Sequence, residues 1–118
     1  MTSTNRTISH DGRTLLLGVD RYVNNGYLAL TLTDADTGEP YCTLTVNIDD
    51  AFLMDFDYDI ILDVNNCPSE LLQKVFDTNL VEDAPYGHAR SGFVVYPLHA
   101  LTEEGVNWVR SLETAEEH

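Results

Sequence analysis

Over residues 27–33, Leu28, Leu30 and Leu32 alternate with Ala29, Thr31 and Thr33. A period of two puts one apolar and one polar face on a strand. Residues 14–22 place Leu15, Leu17 and Val19 on one face, and Asn24-Asn25-Gly26 supplies a tight hairpin turn between these two strands. Residues 41–48 repeat the pattern with Cys42, Leu44, Val46 and Ile48 turned inward. A longer turn at residues 34–40 precedes them, and residues 4–9 make a short edge strand before a turn at His10-Asp11-Gly12. The pattern is that of an antiparallel meander with one covered face and one polar, threonine-rich face (Thr31, Thr33, Thr43, Thr45).

The same alternation runs into the most acidic stretch of the chain. Residues 49–63 hold six carboxylates and no basic residue. Read as a strand, Asp55, Asp57, Asp59 and Asp63 line one face, and Phe56, Tyr58, Ile60 and Leu62 the other. Beyond it, Asn65-Asn66 offers a cap and Pro68 suits a first helical turn. Leu71, Leu72, Val75 and Phe76 then recur at helical spacing, which predicts a helix over 68–77. Residues 81–91, with Pro85 and Gly87, read as a loop. Residues 92–98 read as a strand that Pro97 ends or confines to an edge. Thr102 caps a last helix, Glu103 and Glu104 complement its dipole, and Leu101 and Val106 take the staple positions. Leu101, Gly105, Trp108 and Leu112 form its buried stripe, and residues 113–118 are expected to fray.

These elements predict a single α+β domain over residues 1–118, with an antiparallel sheet of about five or six strands and two helices packed on one face. The expected core includes Cys42, Leu44, Val46, Phe56, Tyr58, Ile60, Leu62 and Trp108.

Charge changes the picture most. Twenty acidic residues face only Arg6, Arg13, Arg21, Lys74, Arg90 and Arg110, a formal net charge of -14. Between Tyr22 and Gln73 lie ten acidic residues and no Lys or Arg. A field of that sign repels nucleic acid and anionic membranes and steers basic partners. Direct nucleic-acid binding and membrane binding are therefore not expected. Solubility, adaptation to a salty cytoplasm and metal buffering are alternative sources of the same charge. The opening residues MTSTNRTISHDG lack the apolar core of a signal peptide, and no apolar run approaches the ~20 residues of a membrane span, so a cytoplasmic protein is expected.

Catalytic signals are sparse. Asp55, Asp57 and Asp59 resemble the start of a calcium loop, but its required Gly and Glu positions hold Ile60 and Asn66. His10, His88, His99 and His118 lack ligand spacing, and Cys42 and Cys67 make neither a disulfide framework nor a metal cluster. Cys67 with His88 is the one imaginable nucleophile and base. No Gly-x-Ser-x-Gly, P-loop or dinucleotide fingerprint occurs. No enzyme, metal or cofactor is expected.

Three segments, GEPYCTLTVNI, ILDVNNCPSELL and SGFVVYPLHAL, carry Leu44-Thr45-Val46-Asn47, then Asp63 with Asn65-Asn66, then Ser91-Gly92-Phe93 with Tyr96-Pro97. Over residues 14–110 this pattern resembles a family of small acidic bacterial domains of unknown function, carried largely on plasmids and other mobile elements. The resemblance transfers no catalytic residue. It implies a mobile-element setting, where small acidic proteins often blunt host defences by imitating DNA. Carboxylates at alternate strand positions lie about 6.6–7 Å apart, a scale similar to the phosphate path of DNA, which rises about 3.4 Å per residue of one strand. The expected partner is a basic, nucleic-acid-handling protein, met by Asp55, Asp57, Asp59 and Asp63, with Asp49 and Asp50 widening the patch. Homodimerisation through the threonine face or an open edge is a further expectation. The alternative is a small structural or adaptor domain whose acidity serves solubility only.

Overall fold

The computed structural model describes residues 6–49, 51 and 53–116. Among the described residues, seven strands and two helices give the expected α+β class, with the strands divided between two antiparallel sheets. The four-stranded sheet takes β1 (Arg6–His10), β2 (Arg13–Arg21), β3 (Leu28–Asp34) and β4 (Pro40–Thr43) in sequence order. The three-stranded sheet has β5 (Ile60–Ile61), β7 (Val94–His99) and β6 (Gly87–Ser91), with β7 central. Helices α1 (Ser69–Asp77) and α2 (Glu103–Glu116) complete the chain.

The first three strands follow their turn chemistry. Asp11 and Gly12 both take positive φ, so His10 pairs directly with Arg13 across the β1–β2 turn. At the β2–β3 turn Gly26 takes φ +75°, and Asn25 accepts the Tyr27 N–H through its side chain at 3.0 Å. The resulting β2–β3 ladder runs in register from Leu15 opposite Asp34 to Arg21 opposite Leu28. β4 is shorter than the 41–48 pattern predicts. A bulge opposite Leu32 and Thr33 interrupts its pairing, and the regular ladder stops at Thr43.

The two sheets meet at a seam. Leu44 donates its N–H to Leu30 of β3 at 2.8 Å and accepts the Asp63 N–H at 2.9 Å. Val46 donates to Ile61 at 3.0 Å, and Thr45 bridges Leu62. Where the β3–β4 ladder ends, the Thr45 hydroxyl takes over: it accepts the Leu30 N–H at 3.4 Å and bonds the Tyr22 hydroxyl at 3.1 Å. Thr45 is thus buried, not part of an open threonine face.

Two apolar clusters lie about this seam. The larger joins Leu15, Leu17, Leu30 and Leu32 to Leu71, Leu72 and Val75 of α1 and Trp108 and Val109 of α2, so both helices cover the same sheet face. The smaller holds Tyr27, Ile48, Leu53, Ile61, Tyr96 and Leu98. Ile60 and Leu62 face the first cluster and Ile61 the second, so β5 is buried on both sides.

That double burial corrects the acidic strand. Residues 55–58 form a turn and the strand is confined to Ile60–Ile61. Asp55 bonds its own loop: its side chain accepts the Asp57 N–H at 3.0 Å and its carbonyl the Asp59 N–H at 2.9 Å. Local aspartate bonds of this kind compete with a strand ladder. Phe56, expected in the core, is carried outward on this turn and stays 59% exposed, stacked on Tyr27. Cys42, Val46 and Tyr58 are only partly buried, whereas Leu44, Ile60, Leu62 and Trp108 are core.

Other differences are local. Residues 87–91 pair with β7 as β6, which the 81–91 stretch conceals because only Ala89 is apolar and buried among them. Gly92 (φ +62°) and Phe93 make the turn, and Pro97 lies in the central strand near the end of its β5 pairing, where its carbonyl accepts the Leu62 N–H at 3.2 Å. The Asn66 side chain serves Asp63 instead of capping α1. Thr102 caps α2 as expected, its hydroxyl accepting the Gly105 N–H at 2.9 Å. The helix does not fray at residue 113: α2 continues to Glu116, and Glu113 takes a forked pair of bonds from Arg21 at 2.9 and 3.1 Å. Residues 117 and 118 lie outside the described residues.

Gly105 is required by close approach. A Cβ there would stand 2.0 Å from the Leu80 carbonyl oxygen, which is backbone and itself holds the Thr102 N–H. Gly105→Ala should therefore push α2 off the core and cost about 2 kcal/mol or more, read as a lower urea midpoint. An unchanged midpoint would show that α2 shifts freely on its support.

Candidate functional site

The predicted aspartates do not form a row. Asp49, Asp55 and Asp57 are exposed, Asp59 and Asp63 are buried, and Asp50 lies outside the described residues. Asp63 is structural: its carboxylate accepts the Asn66 N–H and side-chain amide, each at 3.0 Å, and shapes the turn before α1. Asp49 is held at the tip of the β2–β3 hairpin by the amides of Asn24 (2.7 Å) and Asn25 (2.6 Å). The ladder required for evenly spaced phosphate imitation is therefore broken, because a turn and a doubly buried strand replace the half-exposed strand.

What the fold brings together instead is a groove of about 450 Å³ between the 54–59 turn, Tyr86 and the start of α2. Met54, Asp55, Tyr58, Asp59, Tyr86 and Val106 line it. Asp59 Oδ2 closes the turn by accepting the Asp55 N–H at 3.0 Å, and it also accepts the Tyr86 hydroxyl at 2.6 Å. Burial first, and the bond to Asp59 second, push the Tyr86 phenol up to about 12. The Tyr58 ring sits between two guanidinium groups, Arg21 at 5.8 Å and Arg110 at 5.4 Å from its centroid. Arg110 also donates to the Tyr58 hydroxyl at 3.0 Å.

The surrounding charge is poorly compensated. Arg6 pairs with Glu104, Arg13 with Asp34 and Arg21 with Glu113, while Lys74 donates to the Ser9 carbonyl. Among the described residues, no ion pair reaches Asp49, Asp55, Asp57 or Asp59. Two large apolar side chains interrupt these carboxylates, Met54 at 79% and Phe56 at 59% exposure. Sequence reasoning missed this pairing because alternation assigned Phe56 to the core. Tyr86, between Pro85 and Gly87, carried a weaker signal: a lone aromatic in a turn-rich loop.

Reactive chemistry has little support here. The Cys67 thiol donates to the Thr43 carbonyl at 3.5 Å, and burial, with Cys42 and Asp63 nearby, pushes it up to about 12. Such a group stays a thiol at neutral pH and is a poor nucleophile. His99 bonds the Glu82 carbonyl at 2.8 Å and lies tilted against the Phe76 ring, and burial lowers its pKa. Among the described residues, no three His, Cys, Asp or Glu side chains are grouped to hold a metal, and no helix is long and apolar enough to cross a membrane.

The Tyr86–Asp59 bond makes a pH prediction. Folding favours the neutral phenol, so its stabilisation is complete below the ordinary tyrosine value of about 10 and is lost as pH rises toward about 12. In an ultraviolet titration one of the six tyrosines should ionise late, and Tyr86→Phe should remove that step. The same substitution should destabilise the fold by about 1–3 kcal/mol, because buried Asp59 loses a donor. An unchanged unfolding midpoint would mean that water replaces the phenol.

No protein-family model, curated protein or solved structure matches this chain.

Proposed function

We propose that this chain is a non-enzymatic, acidic protein-binding domain that occupies a basic, nucleic-acid-binding surface of a host defence protein, as an anti-restriction or anti-CRISPR inhibitor of a mobile element. One observation carries the reading: over residues 49–58 the exposed carboxylates of Asp49, Asp55 and Asp57, which take part in no ion pair among the described residues, are interleaved with exposed Met54 and Phe56. Charges of one sign steer a partner of the other and accelerate encounter. Exposed aromatic and methionine side chains add the apolar contact that holds a complex once formed. Acidity serving solubility alone would call for the carboxylates without the apolar pair. The competition with nucleic acid rests on the charge and shape of this loop, with Asp59 and Asp63 acting inside the fold.

The test is phage plating on hosts that carry defined restriction or CRISPR systems. Native protein should restore plating against at least one system. Replacing Asp49, Asp55 and Asp57 together with Asn should cut that rescue at least about tenfold, through slower and weaker association, and Phe56→Ser should reduce it independently. Complex formation should weaken steeply with added salt for the native loop and only slightly for the neutralised one. Rescue unaffected by either change would move the contact elsewhere. No rescue in any system, with the protein folded, would leave the solubility-only adaptor.

A further inference from the structure

The fold brings the chain's two cysteines together, although neither their number nor their spacing makes a disulfide framework. Cys42 lies on β4, opposite Leu32. Cys67 reaches it through the seam. Asp63 donates its N–H to the Leu44 carbonyl at 2.9 Å, and Cys67 donates its own to the Asp63 carbonyl at 3.0 Å. The Cys67 thiol then donates to the Thr43 carbonyl at 3.5 Å, which sets it beside the strand residue next to Cys42. There the two thiols hydrogen-bond to each other. Both are free, and both pack in the larger apolar cluster.

The two positions are unequal. Cys67 is buried, whereas Cys42 is half-buried and open to a small oxidant. Burial raises the pKa of both thiols, but the bond between them divides the pair. It favours the thiolate of Cys42, which accepts, and opposes that of Cys67, which donates. Cys42 is therefore the thiol that ionises first and the better nucleophile of the two, although at neutral pH it too is largely protonated. A buried cysteine also serves as a small apolar filler. Filling a core does not require two sulfurs to meet; forming a disulfide does.

We propose that Cys42 and Cys67 are a redox pair, which a hydroperoxide converts to an intrachain disulfide that staples β4 to the turn before α1. The Cys42 sulfur attacks one peroxide oxygen. An S–O bond forms, the O–O bond breaks, and the Cys42 proton leaves with the departing oxygen, as water when the oxidant is hydrogen peroxide. The product is a sulfenic acid on Cys42. The Cys67 sulfur then attacks the Cys42 sulfur: the S–S bond forms, the S–O bond breaks, and the Cys67 proton leaves with the hydroxyl as water. Together the sulfurs lose two electrons, the two that reduce the peroxide. Contact between the thiols makes the second step intramolecular, which offsets the weak nucleophilicity of Cys67. The loop so closed, residues 43–66, contains the seam and the acidic turn. Linking its ends restricts the unfolded chain, so oxidation stabilises the fold. The inference concerns the chain alone and stands apart from the protein-binding reading.

The experiment treats the full chain, folded, reduced and freed of reductant, with hydrogen peroxide. Peptide mapping without reductant should recover Cys42 and Cys67 in one cross-linked pair of peptides, from a chain that runs as a monomer on a non-reducing gel. Dithiothreitol should return both thiols. The oxidised chain should unfold at a higher urea midpoint than the reduced one. Below the thiol pKa values the rate should climb about tenfold per pH unit, as the Cys42 thiolate grows. Dimedone, which traps sulfenic acids, should label Cys42 in Cys67→Ser and leave Cys67 unlabelled in Cys42→Ser. Both variants remove an interior thiol, so the measurements on the native chain decide the matter even where a variant fails to fold. Two free thiols in the folded chain, after an exposure that oxidises them in urea, would overturn the proposal. Disulfide-linked dimers in place of the internal bridge, a midpoint no higher after oxidation, or labelling of Cys67 ahead of Cys42 would each do the same.

Discussion

The fold depends on three residues, Leu44 to Val46, through which the two sheets are hydrogen-bonded to each other. Leu44 faces both ways along its backbone, donating to β3 and accepting from Asp63, and its side chain is fully buried. Backbone groups in such a place must all be satisfied, because water does not reach them. Regular pairing does not satisfy them all, since the β3–β4 ladder ends at Thr43, opposite Thr31. The Thr45 hydroxyl fills the gap at Leu30, and Tyr22 ties the same threonine to the first hairpin. A valine of equal shape would leave the Leu30 N–H without its acceptor.

From that seam the position of the acidic turn follows. β5 must lie against the seam on one edge and β7 on the other, with apolar clusters on both faces. A strand enclosed in this way tolerates carboxylates only where hydrogen bonds inside the fold receive them, as at Asp63 and Asp59. The remaining acids have to leave the sheet, and Asp55 provides the means by bonding its own backbone into a turn. The exposed Met54 and Phe56 are consequences of the same exit.

Much of this was legible in the chain. The leucine alternation of β2 and β3, the Asn-Asn-Gly turn, the 3.6-residue spacing of α1 and the Thr102 cap all act through neighbours within a few residues, and each appears in the structure. The acidic segment was misread for a specific reason. Alternation holds from Asp55 to Ile60, but Ile61 then stands where a carboxylate should be, and Ile60-Ile61-Leu62 is the unbroken apolar run of a strand covered on both sides. β6 was hidden because its single buried side chain, Ala89, gives no periodic signal. Its pairing is decided by β7, and no local pattern reports that. Tyr86 joined Asp59 across 27 residues, a contact that only the completed fold creates.

Helix α2 closes the larger cluster with Trp108 and Val109, and two ion pairs clamp it to the first strands, Arg6 to Glu104 and Arg21 to Glu113. Of all the elements described, this one leaves the ribosome last. Until it emerges, the leucine face of β2 and β3 lacks Trp108 and Val109, and Arg6 and Arg21 are without their carboxylates. A chain that lacks α2 leaves part of its apolar sheet uncovered, the condition under which incomplete chains aggregate. A net charge of -14 makes copies of the chain repel one another, which opposes the meeting of such faces.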